Sequence, residues 1–180
     1  MATRTPSKRW RKIRRWIGNA LFVLAALALG VVLYIRLFDQ PTAAPPATGP
    51  PAGSGAAQVT HVIDGDTIDV LMHGTPYRVR YIGIDTPELG EDLADLATAR
   101  NRALVTGKTV HLAVDVSETD RYGRLLRYVY LPDGGLVNEL LVQEGLARVT
   151  LYPPDTRLAE RLQEAEGRAQ ATRVGIWAEE

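Results

Sequence analysis

Apolar and polar positions follow three unlike patterns along the chain. Residues 17–35 (IGNALFVLAALALGVVLYI) are nineteen uncharged, mostly apolar positions in a row. As a helix rising about 1.5 Å per residue they reach roughly 28 Å, the thickness of bilayer hydrocarbon. A single transmembrane helix is therefore expected over 17–37. Residues 41–57 (PTAAPPATGPPAGSGAA) carry no apolar period and consist only of Pro, Ala, Gly, Ser and Thr, so a disordered linker is expected over 38–57. From Gln58 the texture changes to short β-rich runs, QVTHVI, TIDVLM, YRVRYIGI, TVHLAV and RLLRYVYL, bounded by Asp, Gly or Pro. Helical patterns are expected at 92–105, at 136–144 closed by Gly145, and at 155–172 opened by an Asp155 cap and closed near Gly175. Five short strands and about three helices make 58–180 an α+β domain, suited to a small barrel with helices packed at one end.

Charge orients the first segment. Seven Lys and Arg and no acid precede it, while only Arg36 and Asp39 follow closely. The positive-inside rule then keeps the basic N-terminus, 1–16, in the cytoplasm and sends the domain outside. A cleaved signal peptide competes with this reading, but such peptides have apolar cores of about 7 to 15 residues ending in small side chains. This core is longer and ends in the bulky run VVLYIRLF. The formal net charge of zero is an average over unlike parts: residues 1–57 hold eight basic side chains against one acid, and 58–180 hold thirteen against twenty, a net of −7. That sign is awkward for a domain that meets a polyanion.

The chain has no Cys, and its histidines, His61, His73 and His111, are dispersed. The usual zinc sets and a cysteine nucleophile are thereby excluded. Ser117 is the only serine after the linker and lies in no GxSxG setting, which removes a serine triad. What remains is carboxylates and arginines near strand ends: Asp64 and Asp66; Arg80 with Asp85, Thr86 and Glu88; and Asp120 with Arg121, Tyr122 and Arg124. Singly, each group reads as a turn. Jointly they suit phosphodiester chemistry. Oxygen ligands such as Asp66 and Asp85 select a hard cation, Ca²⁺ or Mg²⁺; arginine forks match phosphate oxygens; Glu88 is the candidate general base. The Asp-Gly-Asp segment lacks the spacing of an EF-hand loop.

The motifs VIDGDTI (62–68), VRYIGIDTPE (79–88), TDRYGRLLRYVY (119–130), VNELLVQEGLARV (137–149) and GIW (175–177) together resemble the thermonuclease family, the staphylococcal-nuclease-like domain, over essentially all of 58–180. The resemblance implies a five-stranded OB-type barrel with three helices and Ca²⁺-dependent cleavage of DNA and RNA. Carried over by position, Asp66, Asp85 and the Thr86 carbonyl look like calcium ligands, Arg80 and Arg124 like the phosphate-binding pair, and Glu88 like the catalytic carboxylate. Arg121 and Tyr122 match substrate-binding positions. The family's further tyrosine falls on Leu151, with Tyr152 one step later, and the segment LGEDLADLA after Glu88 is short and acidic.

A nuclease-like domain that binds nucleic acid or protein without cutting is the alternative, since OB barrels often serve as binding modules. One geometric demand stands out. Strict alternation from Arg80 puts Asp85 on the opposite strand face, so a bulge or early turn at Gly83 is expected. Arg157, Glu160, Arg161, Glu164 and Arg168 read as a solvated helix face, and Trp177 as an apolar plug.

Overall fold

Alternation sets the first strand, with one interruption. In β1 (Gly55–Val62) Ala57, Val59 and Val62 are buried between exposed neighbours, and the step of three between Val59 and Val62 is a bulge, with a register shift between Val59 and His61. The structure, a computed structural model, describes residues 50, 51 and 53–178. The expected N-terminus 1–16, the transmembrane helix 17–37 and most of the linker lie outside them. Among the described residues no helix is long and apolar enough to cross a membrane. Gly55–Ala57, expected as linker, belong to β1 and pair with β5.

The remaining elements are β2 (Thr67–Met72), β3 (Thr75–Tyr81), β4 (Ile84–Asp85), α1 (Ala94–Val105), β5 (Thr109–Ala113), β6 (Leu125–Tyr130), α2 (Val137–Gln143), β7 (Arg148–Val149), α3 (Ala159–Thr172) and a 3₁₀ turn at Gly175–Trp177. Five strands close a barrel in the order β1-β2-β3-β6-β5. All neighbours are antiparallel except β3 and β6, which run parallel. This is the expected OB-type α+β barrel with three helices. Ile68, Val70, Val79, Val110 and Val129 are fully buried, as are Tyr81 and Tyr128 to within about one per cent.

Three expectations need correction. The run YRVRYIGI is two strands, because the chain turns at Gly83 (φ +78°) and Ile84–Asp85 leaves the barrel to pair with β7. Asp155 caps no helix: α3 starts at Ala159, and the Asp155 carboxylate accepts from the Val116 and Ser117 amides at 2.9 and 2.7 Å. The charged face of α3 is not simply solvated either. Arg161 and Arg168 both reach Glu139 on α2, at 2.6 and 3.3 Å, and tie the two helices together. Trp177 is buried as expected, with the Arg148 guanidinium 4.2 Å over its ring.

Candidate active site

The turn between β1 and β2 is built around Asp64, whose carboxylate accepts the Asp66 amide at 3.0 Å. That local bond is why an Asp-Gly-Asp sequence turns here. Gly65 serves a close approach, since a Cβ there would lie 2.6 Å from Thr86 Oγ1. Thr86 thus rests on the turn, and its amide and hydroxyl donate to Asp66 Oδ2 at 2.9 and 3.1 Å. Asp66 is 5% exposed. Burial raises its carboxyl to about 6 against the pull of Arg80 and the Thr86 bonds.

The Gly83 turn brings Asp85 back to Arg80. Arg80 Nη1 lies 2.5 Å from Asp66 Oδ2, and Nη2 donates to Asp85 Oδ1 at 2.5 Å. The buried Nη1 makes no angularly satisfactory hydrogen bond among the described residues, so charge alone holds it against Asp66. Two buried amides fix the two turns. Asn101 of α1 donates to the Asp64 carbonyl and accepts from the Tyr81 hydroxyl, both at 2.9 Å. Asn138 of α2 donates to the Ile82 carbonyl at 2.9 Å and accepts from the Val129 amide. Sequence reading missed both, although a polar residue inside the stripe Ala97, Asn101, Leu104 signals a buried amide with a partner.

Asp120 orients the second arginine. Its carboxylate accepts from the Tyr122 and Arg124 amides and from Arg124 Nε at 2.7 Å, leaving the Arg124 Nη nitrogens for a ligand. Burial alone would raise the Asp120 carboxyl, but these bonds hold it below its ordinary value. A cavity of about 340 Å³ gathers Asp66, Arg80, Thr86, Glu88 and Arg124. Glu88 is exposed there, and its carboxylate has no protein partner among the described residues. A second cavity of about 440 Å³ adjoins it through Arg80 and Arg124 and is lined by Arg121, Tyr122 and Tyr152. Asp85 lines neither; it reaches the site through Arg80. The structure thus places seven of the eight residues singled out in the sequence on two adjoining cavities, with Asp85 joined through Arg80, and Tyr152, not Leu151, lines the second cavity.

Residues 78–179 match the family model described as staphylococcal nuclease homologue. The chain belongs to this family. It is 36% identical over 167 residues to the thermonuclease of Staphylococcus hyicus, covering 87% of this chain and 94% of that one. It is 35% identical over 172 residues to the micrococcal nuclease of Shigella flexneri, covering 89% and 88%. Endonuclease YncB of Bacillus subtilis (strain 168) is 41% identical over 127 residues, covering 64% of this chain and 58% of that one.

The donor set at the site of this staphylococcal nuclease homologue is oxygen-only, the kind a hard cation takes. Asp64, Asp66, Glu88 and Asp95 line the 340 Å³ cavity against Arg80 and Arg124, an excess of negative charge that would repel a phosphate unless a cation entered with it. Asp66 and Asp85 both contact the Arg80 guanidinium, each through a different Nη nitrogen. Among the described residues no three His, Cys, Asp or Glu side chains gather to hold a metal, so two carboxylates would need backbone carbonyl and water to complete the oxygen shell that Ca²⁺ takes.

Proposed function

We propose that the chain is a Ca²⁺-dependent endonuclease that hydrolyses DNA or RNA outside the cytoplasm, held to the membrane by residues 17–37. The observation that carries the reading is the convergence of Asp66, Arg80, Thr86, Glu88 and Arg124 on one cavity, with Asp85 joined through Arg80. The names of the relatives, thermonuclease, micrococcal nuclease and endonuclease, support it. Asp66, Asp85 and the Thr86 carbonyl would hold the ion. Bound there, Ca²⁺ polarises a phosphate oxygen and helps position water.

The protein's own groups do the rest. Arg80 and the Nη pair of Arg124 take the non-bridging oxygens of the scissile phosphate, and their forks meet the charge that grows as phosphorus becomes five-coordinate. The Glu88 carboxylate takes a proton from the attacking water as its oxygen bonds to phosphorus; the P–O bond to the leaving sugar oxygen breaks, and that oxygen takes a proton from solvent. Breaking the Arg80 bridge between Asp66 and Asp85 frees both carboxylates for the cation and the guanidinium for substrate. Membrane attachment and an extracytoplasmic location rest on the apolar length and flanking charge of the N-terminal segment. Full-length protein that stays with membranes after an alkaline wash supports the anchor, and quantitative release of a shortened form favours signal cleavage. For the activity itself, the test is cleavage of single-stranded DNA by the full chain on adding Ca²⁺, stopped by chelator; cleavage unaffected by either would rule out the metal-dependent reading.

A further inference from the structure

A third cavity, of about 610 Å³ and open to solvent, shares Arg124 with the catalytic one and is lined by Asp69, Tyr77, Arg78 and Tyr122, among others. Its position follows from the sheet. β6 runs beside β3 only over Val79–Tyr81, so the edge of β3 before Val79 has no strand on that side, and the loop 119–124 faces it across a gap. Along β3, Pro76, Arg78 and Arg80 fall on one face at intervals of two residues, about 6.6 Å apart. Tyr77 lies between them on the opposite strand face, with the parity of Val79, and lines the gap together with Pro76 and Arg78.

The lining chemistry suits a base better than a phosphate. Arg78 is engaged by Asp69 through two bonds of 2.8 and 3.1 Å, a pair without net charge. What remains is aromatic: Tyr77 is 37% and Tyr122 69% exposed, and because the guanidiniums of Arg121 and Arg124 lie over the Tyr122 ring, 4.8 and 5.5 Å from its centre, Tyr77 is the ring of this pair with no cation over it among the described residues. Solvent-facing rings flanked by cations are how single-stranded nucleic acid is held without reading its sequence. Arg124 lines both this cavity and the catalytic one, so a strand held by its phosphate at Arg124 has both within reach.

We propose that the cavity between Tyr77 and Tyr122 is a stacking subsite for one base of a single-stranded polynucleotide, beyond the two nucleotides that flank the scissile bond. The proposal rests on the nuclease reading above and adds one further contact, at Tyr77, to the strand that the catalytic cavity holds.

The test compares the full chain with its Tyr77→Ala variant on a dinucleotide, which offers one scissile bond and no further base, and on a single-stranded dodecanucleotide. Binding is read by fluorescence anisotropy in chelator, so that it is measured whether or not the chain cuts, and cleavage is read with Ca²⁺. Tyr77→Ala should weaken dodecanucleotide binding about tenfold and raise KM without lowering kcat, while the dinucleotide is unaffected. Tyr77→Phe should behave as wild type, and Tyr77→Leu, which keeps apolar bulk without an aromatic face, should show the same tenfold loss and is the variant read where Tyr77→Ala folds poorly. Unchanged dodecanucleotide affinity, or an equal loss on both substrates, overturns the subsite even though cleavage by the wild type upholds the nuclease reading. Tenfold weaker binding in a chain that cuts neither substrate keeps the subsite and removes the reaction.

Discussion

Asp66→Asn should make the protein more stable and inactive. In the fold burial holds the Asp66 carboxyl at about 6, against an ordinary 3.8, so between these values the folded state binds more protons than the unfolded one. Stability therefore falls as pH rises through that window and is flat above about pH 7, where the buried charge costs up to about 3 kcal/mol. Asparagine keeps the shape. Its carbonyl oxygen can accept from the Thr86 amide and hydroxyl as Asp66 Oδ2 does, and its amide can donate to the Thr67 hydroxyl, which now donates to Asp66 Oδ1. Arg80 retains Asp85. With part of the 3 kcal/mol lost to the weaker Arg80 contact, a gain of about 1 kcal/mol at pH 7.5 is expected, roughly 4 °C in Tm. Thermal melts in chelator from pH 4 to 8 measure it: wild type should lose stability between pH 4 and 6, and Asp66→Asn should not. Added Ca²⁺ should raise the wild-type Tm and leave the variant unmoved. A variant less stable than wild type at pH 7.5 in chelator, or one with the same pH slope, would refute the claim that this carboxylate is held charged against the fold.

Two further substitutions probe what positions the site. Asn101→Ala strands the Tyr81 hydroxyl and the Asp64 carbonyl and should cost about 3 kcal/mol in denaturant unfolding; kcat should fall with it, whereas a stable variant of full activity would show that the Asp64 turn holds itself. Gly145 (φ +67°) abuts the 3₁₀ turn so closely that a Cβ would lie 2.2 Å from the Val174 carbonyl oxygen, while Gly107 (φ +70°) has open space. Gly107→Ala should cost about 1 kcal/mol from backbone strain alone, and Gly145→Ala at least twice that; equal losses would mean that the close packing of Gly145 on Gly175 contributes little.

The barrel was legible because its strands alternate or run apolar between turn residues, and because β3 to β6 repeat the family's motifs. The candidate site residues were legible only as a set: singly each group reads as a turn, and it is the joint pattern of carboxylates and arginines, with the family's motifs, that picks out Asp66, Arg80 and Glu88, which one cavity gathers. The convergence of Asp85 on Arg80 was a deduction from strand parity, and the positive φ at Gly83 is its physical solution. Less legible was anything set by tertiary partners. Arg161 and Arg168 have the spacing of a solvated face, and only the packing of α2 beside α3 brings Glu139 to them. Asp155 has the chemistry of a helix cap and was claimed instead by two amides of the 116–117 loop. The net charge of −7 likewise gave no sign of where charge lies: Arg121 and Arg124 line the second cavity, Asp64, Asp66, Glu88 and Asp95 line the catalytic one, and Glu139, Glu160 and Glu166 lie on the helices.

Initial rates on a single-stranded oligonucleotide with Ca²⁺ test the central claim most directly, comparing the full chain with Arg80→Ala and Glu88→Ala. Both variants should lose at least about a hundredfold in kcat, with the exposed Glu88→Ala melting as wild type does. Cleavage by either variant at the wild-type rate, or no Ca²⁺-dependent cleavage by the wild type, would contradict the assignment of the cavity as a phosphodiester-cutting site.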